Sequence, residues 1–374
     1  MTVEVVLGDI LNDKSQTLVN TVNCVGVMGK GIALEFKKRY PAMFEDYKKR
    51  CRKGEVEHGV PYHYEDIFGN SIINFPTKDH WRSASRIDDI VNGLDIFINH
   101  YKSWNVTSVA FPPLGCGNGG LLWEDVGPLM YRKLSFIDIP VRIYAPYSTP
   151  EDHMTCEYLS ESMNYNENIT GDILRTKITP EKVLLLEVLF RLEKMKYASP
   201  VGRTIFQKIC YMLTQTGVDL NISFRQGTYG PFSDGARDLI KEFSNCNLIT
   251  EKKTGSMINI RTGSEFPVVK EQFKEEIRAG DDKIEMVVDL FSRIRSTEQA
   301  GEVTTVFYVY SELKSRRPFG KISEEMIFDR VIEWKNYWAD EEKLKSVADA
   351  VRILTVLRWI SVEFSDNLPV SEIV

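Results

Sequence analysis

Two glycine-rich stretches and one lysine between them are the residues of this chain best suited to chemistry. The first stretch, residues 23–31, reads Asn-Cys-Val-Gly-Val-Met-Gly-Lys-Gly, and the second, residues 112–120, reads Pro-Pro-Leu-Gly-Cys-Gly-Asn-Gly-Gly. Each follows a short apolar run and leads into a helical pattern, where backbone N–H groups can bind phosphate. Two such loops predict a ligand with two phosphates. Lys78, after the apolar run 71–75, is the leading candidate for catalysis.

The length and hydropathy of the chain limit the classes of protein to which it can belong. A chain of 374 residues is long for one core and comfortable for two domains. It contains no run of about 18 apolar residues, so no membrane association is predicted. The first residues lack a basic region followed by an apolar signal core, which makes a cytoplasmic protein the expectation.

Cysteine and histidine usage argues against a metal site. The six cysteines contain no C-x-x-C pair, and the five histidines lack the spacing of metal ligands. The cysteine pattern also differs from a secreted disulfide framework. We therefore expect neither a metal nor a cofactor.

The charge of the chain is unevenly divided. Residues 1–150 carry 17 Lys and Arg and 17 Asp and Glu, whereas residues 151–374 carry 30 and 36. An acidic second half attracts nucleic acid poorly but could attract a basic partner. An ordinary solvated acidic surface explains the same excess.

The first 150 residues alternate between strand and helix patterns. Apolar runs predict strands, and amphipathic stretches between them predict helices, which together indicate an α/β layer architecture with a parallel or mixed sheet. The predicted strands are 3–7, 18–22, 60–64, 71–75, 108–111 and 141–144, and the predicted helices are 32–39, 42–52, 87–101 and 124–136.

The rest of the chain changes character. Residues 156–179 are polar and weakly periodic and read as a linker between a domain at 1–155 and a mostly helical domain at 180–374. Helices predicted at 183–195, 203–213 and 233–243 precede a hairpin at 248–260, the order of a winged-helix-like module. Charged helices are predicted near 271–278, 283–294, 323–338 and 340–360. The stretch 226–233, with its Tyr-Gly-Pro sequence, predicts a turn that opens a helix.

The first glycine loop does not match a common nucleotide fingerprint. Residues 29–31, Gly-Lys-Gly, lack the spacing and the following Ser or Thr of a P-loop, and the first loop does not contain G-x-G-x-x-G. A third element, Gly8-Asp9-Ile10, follows the first predicted strand. Asp9 could accept a hydrogen bond from an adenine amino group, or it could be a turn aspartate.

These motifs together resemble a macrodomain, the α/β/α module that binds ADP-ribose. The residues that carry the resemblance are 5–11 (Val-Val-Leu-Gly-Asp-Ile-Leu), 19–23 (Val-Asn-Thr-Val-Asn), 28–33 (Met-Gly-Lys-Gly-Ile-Ala) and 113–123 (Pro-Leu-Gly-Cys-Gly-Asn-Gly-Gly-Leu-Leu-Trp). Within macrodomains, Asn-Phe-Pro-Thr-Lys at 74–78, followed by Trp-Arg-Ser at 81–83, is most similar to the lysine-dependent branch of ADP-ribosyl glycohydrolases, which includes the DarG antitoxins. The resemblance covers about the first two-fifths of the chain strongly and implies a three-layer α/β/α fold with a mixed sheet.

The resemblance also implies roles for individual residues. Asp9 and Ile10 would hold adenine, the glycine loops would wrap the diphosphate and the distal ribose, Asn23 would bind the distal ribose, and Lys78 would act at the anomeric carbon. Lys78 and Asn23 are thus the predicted catalytic residues. The predicted ADP-ribose-binding residues are Gly8, Asp9, Ile10, Asn23, Val27, Met28, Gly29, Lys30, Gly31, Leu114, Gly115, Cys116, Gly117, Asn118 and Gly119.

Two chemical roles remain open for Lys78. Desolvation between Phe75 and Trp81 would favour a neutral amine that attacks the sugar in the manner of a Schiff base. A protonated Lys78 would instead donate a proton to the leaving base. Some relatives in this branch carry an acidic residue in the second loop, whereas residues 117–119 here are Gly-Asn-Gly, so Asp79 or Asp125 would have to substitute.

The residues after Lys78 admit two interpretations each. Trp81 could stack on a base or pack in a core, and Arg82 could touch a phosphate. His80 could relay a proton or contact DNA, or it could be a solvated loop histidine.

The resemblance implies the substrate and the partner. DarG-like proteins remove ADP-ribose from thymine in single-stranded DNA, and a DarT-like ADP-ribosyltransferase toxin would be the partner of residues 180–374. The alternatives are a module that binds ADP-ribose without turnover and a hydrolase that acts on ADP-ribosylated protein carboxylates.

Overall fold

The chain folds as two compact units. The computed structural model describes residues 3–161, 178–254, 257–316, 320–338 and 340–371. The first unit comprises residues 1–177 with 240–248, and the second comprises 178–239 with 249–374. Most of the predicted linker, residues 162–177, lies outside the described residues. The domain boundaries therefore stay a prediction, although the first residues of the predicted linker form a helix at Cys156–Glu161.

The first unit is built on a mixed six-stranded sheet. Its strands are β1 (Val3–Val6), β2 (Thr17–Asn23), β3 (Tyr62–Glu65), β4 (Ser71–Lys78), β5 (Val109–Phe111) and β6 (Val141–Tyr144). They lie in the order β1-β6-β5-β2-β4-β3, and each neighbouring pair is parallel except β3 with β4. The predicted α/β fold with a mixed sheet is confirmed.

Helices follow the strands of this sheet, as the alternating pattern predicts. They are α1 (Gly31–Arg39), α2 (Pro41–Lys53), α3 (Ile87–His100), α4 (Trp123–Leu134) and α5 (Cys156–Glu161). Pro41 opens α2 and so separates it from α1, because proline is tolerated at the first helical position. The sheet and these helices bury a core that includes Phe36, Met43 and Ile72.

The central strands bring the glycine loops and Lys78 to one edge of the sheet. β2 lies between β4 and β5 and is parallel to both, so the carboxyl ends of all three strands meet at the same edge. The first glycine loop follows β2, Lys78 ends β4, and the second glycine loop follows β5. We call this side of the sheet the glycine-loop edge.

A bulge in β4 lies directly before Lys78. Val22 pairs with Pro76, but the next residue of β2, Asn23, pairs with Lys78, so Thr77 is the extra residue. Pro76 lacks the N–H that a regular ladder requires, and a bulge at a strand end re-aims the side chain that follows. All eight residues of β4 are buried, which fixes the direction of Lys78.

The second unit is rich in helices. Its described elements, together with the helix that joins it to residues 240–248, are α6 (Pro180–Lys194), α7 (Arg203–Gln215), β7 (Arg225–Gly227), β8 (Gly230–Phe232), α8 (Asp234–Asn245), β9 (Ile249–Thr254), β10 (Met257–Thr262), α9 (Phe266–Gln272), α10 (Lys274–Ala279), α11 (Asp281–Arg293), α12 (Thr297–Arg316), α13 (Glu324–Trp334) and α14 (Glu341–Val356). The predicted order of three helices followed by an antiparallel hairpin is present, since β9 pairs antiparallel with β10. Thr179 caps α6 by accepting a hydrogen bond from the Lys182 N–H.

One long helix of this unit has no counterpart in the sequence-based prediction. α12 buries Ala300, Val303, Val306 and Val309 together with polar residues from its other faces. The central part of α12, residues 300–307, is buried on all sides, so it lacks the 3.6-residue alternation of apolar and polar positions, and its β-branched residues favour strands. Periodicity therefore gave no signal there.

Two buried lysines hold the predicted Tyr-Gly-Pro turn. β7 and β8 form a short hairpin whose tip contains Thr228 and Tyr229. Lys208 Nζ donates to the carbonyl oxygen of Pro231 at 2.8 Å, and Lys335 Nζ donates to those of Gly227 at 2.6 Å and Thr228 at 2.9 Å. Burial lowers the pKa of Lys208 to about 7, with a further contribution from the charge of Lys335, whose own pKa burial lowers to about 8.

We expect these lysines to make the stability of the second unit rise with pH. Each folded-state pKa lies below the unfolded value, so the unfolded chain binds more protons between about pH 7 and 10, and the free energy of unfolding increases over that window. Lys208→Met should flatten this slope in urea unfolding at several pH values, whereas Met at the exposed Lys196 should leave it unchanged. Equal slopes for wild type and Lys208→Met would contradict the expectation.

No helix among the described residues is long and apolar enough to span a bilayer. Within the same residues, no three His, Cys, Asp or Glu side chains cluster in a way that could hold a metal ion.

Candidate active site at the glycine-loop edge

Lys78 is a buried lysine that touches the second glycine loop. Its side chain ends β4, the residue is only 8% exposed, and Nζ donates a hydrogen bond to the backbone carbonyl oxygen of Asn118. Lysine is rarely buried to this degree without a specific reason. The predicted amine and the predicted loop thus lie together, although they are 40 residues apart in the sequence.

The first glycine loop begins beside the same lysine. The Cys24 N–H lies 3.1 Å from the carbonyl oxygens of both Lys78 and Asp79. This bifurcated contact ties the end of β2 to the end of β4. It fixes where the backbone of the first loop leaves the sheet relative to Lys78.

The two glycine loops also approach each other. Gly31, at the start of α1, has φ +59°, and a Cβ placed there would lie 3.3 Å from Nδ2 of Asn118. Asn118 therefore lies between Gly31 of the first loop and Lys78. The structure brings together the three features that the sequence singled out.

The Asn23 side chain organises the first loop. Its Oδ1 accepts from the N–H of Val25 at 3.0 Å and of Val27 at 3.4 Å, and its Nδ2 donates to the Val27 carbonyl oxygen at 2.5 Å. An amide side chain that satisfies the loop backbone in this way holds the loop in one conformation. Its predicted contact with a ribose stays a prediction.

Tyr47 supports Asn23 and was missed by the sequence reasoning. Its hydroxyl donates to the Asn23 carbonyl oxygen at 2.7 Å and lies 3.1 Å from Asn23 Oδ1, and the residue is fully buried in α2. Burial raises the pKa of this phenol, so it remains a donor at all working pH values. The sequence around Tyr47 shows only a helical pattern with a buried tyrosine, and nothing in that pattern indicates a hydrogen bond to Asn23.

Tyr47→Phe should destabilise the protein by about 1–2 kcal/mol, because it leaves two buried oxygens of Asn23 without this donor. We also expect the affinity for ADP-ribose to fall. Urea unfolding measures the loss of stability, and calorimetry measures the loss of affinity. Tyr147→Phe is the matched control, since Tyr147 is 77% exposed. A Tyr47→Phe protein with unchanged unfolding free energy would refute the supporting role.

Ser85 lies beneath the second glycine loop. The Ser85 N–H donates to the Gly119 carbonyl oxygen at 3.0 Å, and Leu121 N–H donates to the Gly115 carbonyl oxygen at 3.1 Å. A Cβ on Gly119 would lie 2.3 Å from both Ser85 Oγ and the Gly115 carbonyl oxygen. Glycine is therefore required at 119 by the packing of the loop itself. Ser85 stands among small residues in the sequence, and nothing in that pattern indicates its contact with the second glycine loop.

The cysteines of the loops are poor nucleophiles. Burial raises the pKa of Cys24 to about 12, with the charge of Asp79 adding to it, and burial with the charge of Asp125 raises the pKa of Cys116 to about 12. Both thiols are protonated at neutral pH, and the thiolate is the reactive form. Assistance of Lys78 by the carboxylate of Asp79 or Asp125 stays a prediction.

The predicted adenine site is a capped turn at the end of β1. Asp9 accepts from the Leu11 N–H at 3.0 Å and from Asn12 Nδ2 at 3.1 Å, the geometry of a turn aspartate. Gly8 has φ +151°, and Ile10 is 5% exposed. Contact with adenine at Asp9 and Ile10 stays a prediction.

The remaining predicted binding residues differ in what they can offer. Met28 and Leu114 are buried in the core, so they can present only backbone atoms to a ligand, whereas Val27, Gly29 and Lys30 are exposed. A Cβ on Gly117 would meet no atom within 4 Å. The second loop is therefore open at Gly117 and closely packed at Gly119.

The two aromatic residues that flank Lys78 in the sequence differ in their exposure. Phe75 is fully buried, and a Cβ on Gly93 of α3 would lie 2.2 Å from its Cζ, so its ring packs into the helix layer. Trp81 is 46% exposed, which excludes the interpretation of this side chain as core packing. The Lys78 amine contacts the Asn118 carbonyl oxygen, and an apolar mouth around it stays a prediction.

Comparisons with known proteins agree with this architecture. Residues 19–130 match the model of the Macro domain family. The chain is 38% identical over 245 residues to a DNA ADP-ribosyl glycohydrolase of Mycobacterium tuberculosis, covering 63% of this chain. It is 39% identical over 175 residues, 41% of this chain and 45% of the relative, to a DNA ADP-ribosyl transferase–DNA ADP-ribosyl glycohydrolase fusion protein of Thermosipho africanus. The solved macrodomain of Mycobacterium tuberculosis DarG is 48% identical and aligns over 38% of this chain and 97% of that one, with a TM-score of 0.37.

The match to the mycobacterial relative spans 65% of that protein's length. The part of this chain that carries the two glycine loops and Lys78 is the part that the family model covers. The N-terminal unit of this chain is a macrodomain.

Proposed function

We propose that this chain is a DNA ADP-ribosyl glycohydrolase that removes ADP-ribose from thymine bases of single-stranded DNA, and that it serves as the antitoxin of a DNA ADP-ribosyltransferase. One observation carries the proposal: a lysine that is only 8% exposed lies between two glycine loops, with Nζ bonded to the Asn118 carbonyl oxygen. The names of the mycobacterial and Thermosipho relatives support the same activity.

The loops suit a dinucleoside-like ligand with two phosphates. Residues 26–31 end at the first turn of α1, where backbone N–H groups and the helix dipole favour an anion. Residues 115–119 face them through the contact of Asn118 with Gly31. A pyrophosphate held between the loops would leave the distal ribose at Lys78 and the adenosine toward Asp9.

Lys78 can cleave the bond in either of two ways. As an ammonium, it donates its proton to the leaving base nitrogen while the C1″–N bond breaks, and water then adds to the oxocarbenium-like carbon and returns a proton to the amine. As an amine, it attacks C1″ as the base leaves with a proton, the sugar ring opens to an imine, and water hydrolyses the imine to free ADP-ribose. Reduction with cyanoborohydride during turnover separates them, since only the imine gives a stable adduct on Lys78.

The substrate class is tested by a direct comparison. The full chain is incubated with an ADP-ribosylated thymidine oligonucleotide and with a protein modified on carboxylates, and ADP-ribose release is followed by mass spectrometry. Our proposal expects rapid release from the oligonucleotide. Release from the protein alone would assign the site to carboxylate esters, and tight ADP-ribose binding without any release would identify a non-catalytic binding module.

The acidic C-terminal region is proposed to bind the toxin. Residues 151–374 carry 36 Asp and Glu against 30 Lys and Arg, of which residues 180–374 contribute 30 and 28, and the Thermosipho relative joins a transferase and a glycohydrolase in one chain. Negative charge presented to the basic DNA groove of a transferase would block it. The test uses the full chain with Lys78→Ala, so that removal of ADP-ribose does not mask inhibition of the transferase. This variant is titrated against the transferase at rising salt concentrations. Inhibition that weakens with salt supports charge mimicry, and unchanged inhibition argues against it.

A further inference from the structure

The segment directly after Lys78 forms an exposed aromatic and cationic surface. Trp81 is 46% exposed, whereas Lys78, three residues earlier, is 8% exposed. The Arg82 guanidinium lies over the Trp81 ring, 4.4 Å from its centroid, and the His80 ring centroid is 5.2 Å from that of Trp81. We call residues 80–82 the Trp81 platform.

Backbone hydrogen bonds fix the shape of this platform. The Arg82 N–H donates to His80 Nδ1 at 3.2 Å, and the Ser83 N–H donates to the His80 carbonyl oxygen at 2.9 Å. A large ring held in place at the surface loses little conformational freedom when a ligand stacks on it. The platform is therefore prepared for a planar ligand.

Its chemistry fits a nucleic acid strand. Unpaired bases stack on indole rings and on guanidinium planes, and an arginine beside such a ring can also pair with a phosphate. The net negative charge of the chain repels a nucleic acid strand at long range. A local aromatic surface can still bind the strand by stacking on its bases.

The distance from Lys78 defines which base can reach it. Three residues span at most about 10 Å, and a stacked strand advances about 3.4 Å per nucleotide. We propose that the Trp81 platform is a subsite for single-stranded nucleic acid that stacks a base flanking the ADP-ribosylated nucleotide. This inference rests on the proposed function, and it adds that the site recognises the strand as well as the modified nucleotide.

The test compares two substrates with the full chain: an ADP-ribosylated single-stranded oligonucleotide and the corresponding ADP-ribosylated mononucleotide. Trp81→Ala should raise KM for the oligonucleotide about tenfold, the scale of one lost base stack, and leave kcat and the mononucleotide reaction within twofold. Trp81→Phe should restore most of the loss. Arg82→Ala should lower the dependence of log KM on log salt by about one unit.

Phe136→Ala is the matched control, because Phe136 is an exposed aromatic of the same unit, 81% exposed, and lies outside the site. Equal losses on both substrates, or none on either, would overturn the subsite. Weaker inhibition of the transferase by Trp81→Ala, with unchanged oligonucleotide kinetics, would also overturn it and assign the surface to a protein partner.

Failure of the proposed function gives a different result. If the wild-type chain releases ADP-ribose from neither substrate, the enzymatic proposal falls, and the platform is then tested by binding of the unmodified oligonucleotide. Tighter binding by wild type than by Trp81→Ala would uphold the platform, and equal binding would refute it.

Discussion

Lys78→Ala should lower the rate of ADP-ribose release from a modified oligonucleotide by about a thousandfold. The substitution removes the amine that lies at the glycine-loop edge, and both a general acid and a covalent nucleophile contribute on this scale. ADP-ribose affinity should fall by less than tenfold, since the loop backbones supply most of the contacts. Single-turnover release and calorimetry on the same protein preparation measure the two effects.

The control for this variant is Lys102→Ala, because the Lys102 side chain is 71% exposed and lies in the turn before β5, at the opposite edge of the sheet. Lys78→Met adds a second measurement, since it keeps the length and burial of the side chain while removing the hydrogen bond to Asn118. If both Lys78 variants release ADP-ribose at the wild-type rate while Lys102→Ala does too, Lys78 has no catalytic role.

Gly119→Ala should both destabilise the macrodomain and abolish tight ADP-ribose binding. The new Cβ would lie 2.3 Å from the Gly115 carbonyl oxygen and from Ser85 Oγ, and it would be 2.9 Å from the Gly115 carbonyl carbon. The Gly115 carbonyl group is part of the backbone and cannot move away without shifting the loop. We therefore expect the free energy of unfolding to fall by about 1–3 kcal/mol. Because Asn118 moves with it, we expect the affinity for ADP-ribose to fall about a hundredfold.

Gly117→Ala separates the two causes. Its Cβ would meet no atom within 4 Å, so the free energy of unfolding should stay within about 0.5 kcal/mol of wild type. Any loss of affinity in this variant then reports ligand approach at the open part of the loop. Equal destabilisation by Gly117→Ala and Gly119→Ala would contradict the packing that we describe.

The sequence predicted the layout of the macrodomain because local patterns determine it. Short apolar runs became β2, β4 and β5, and the loops between strand and helix fell where the glycines are. Parallel pairing of these strands then places both loops at one edge, which made the convergence on Lys78 predictable from topology. The helix-rich second half was predicted for the same reason, apart from α12, whose central residues 300–307 are buried on every face and so give no periodic signal.

The details that depend on packing could not be predicted. Asn23 satisfies the backbone of its own loop, and Tyr47 reaches it from a helix 24 residues away. Phe75 packs against Gly93 although it stands in the same motif as Lys78. Each of these contacts is set by the distance between elements, which a single sequence does not encode in any local pattern.

A co-crystal structure of the full chain with ADP-ribose tests the central claim most directly, through the distance from Lys78 Nζ to C1″ of the distal ribose. The account predicts a pyrophosphate between residues 26–31 and 115–119 and the anomeric carbon within about 3–4 Å of Nζ, the range of a near-attack geometry. A distal ribose bound well away from Lys78, with the amine still bonded only to Asn118, would contradict it.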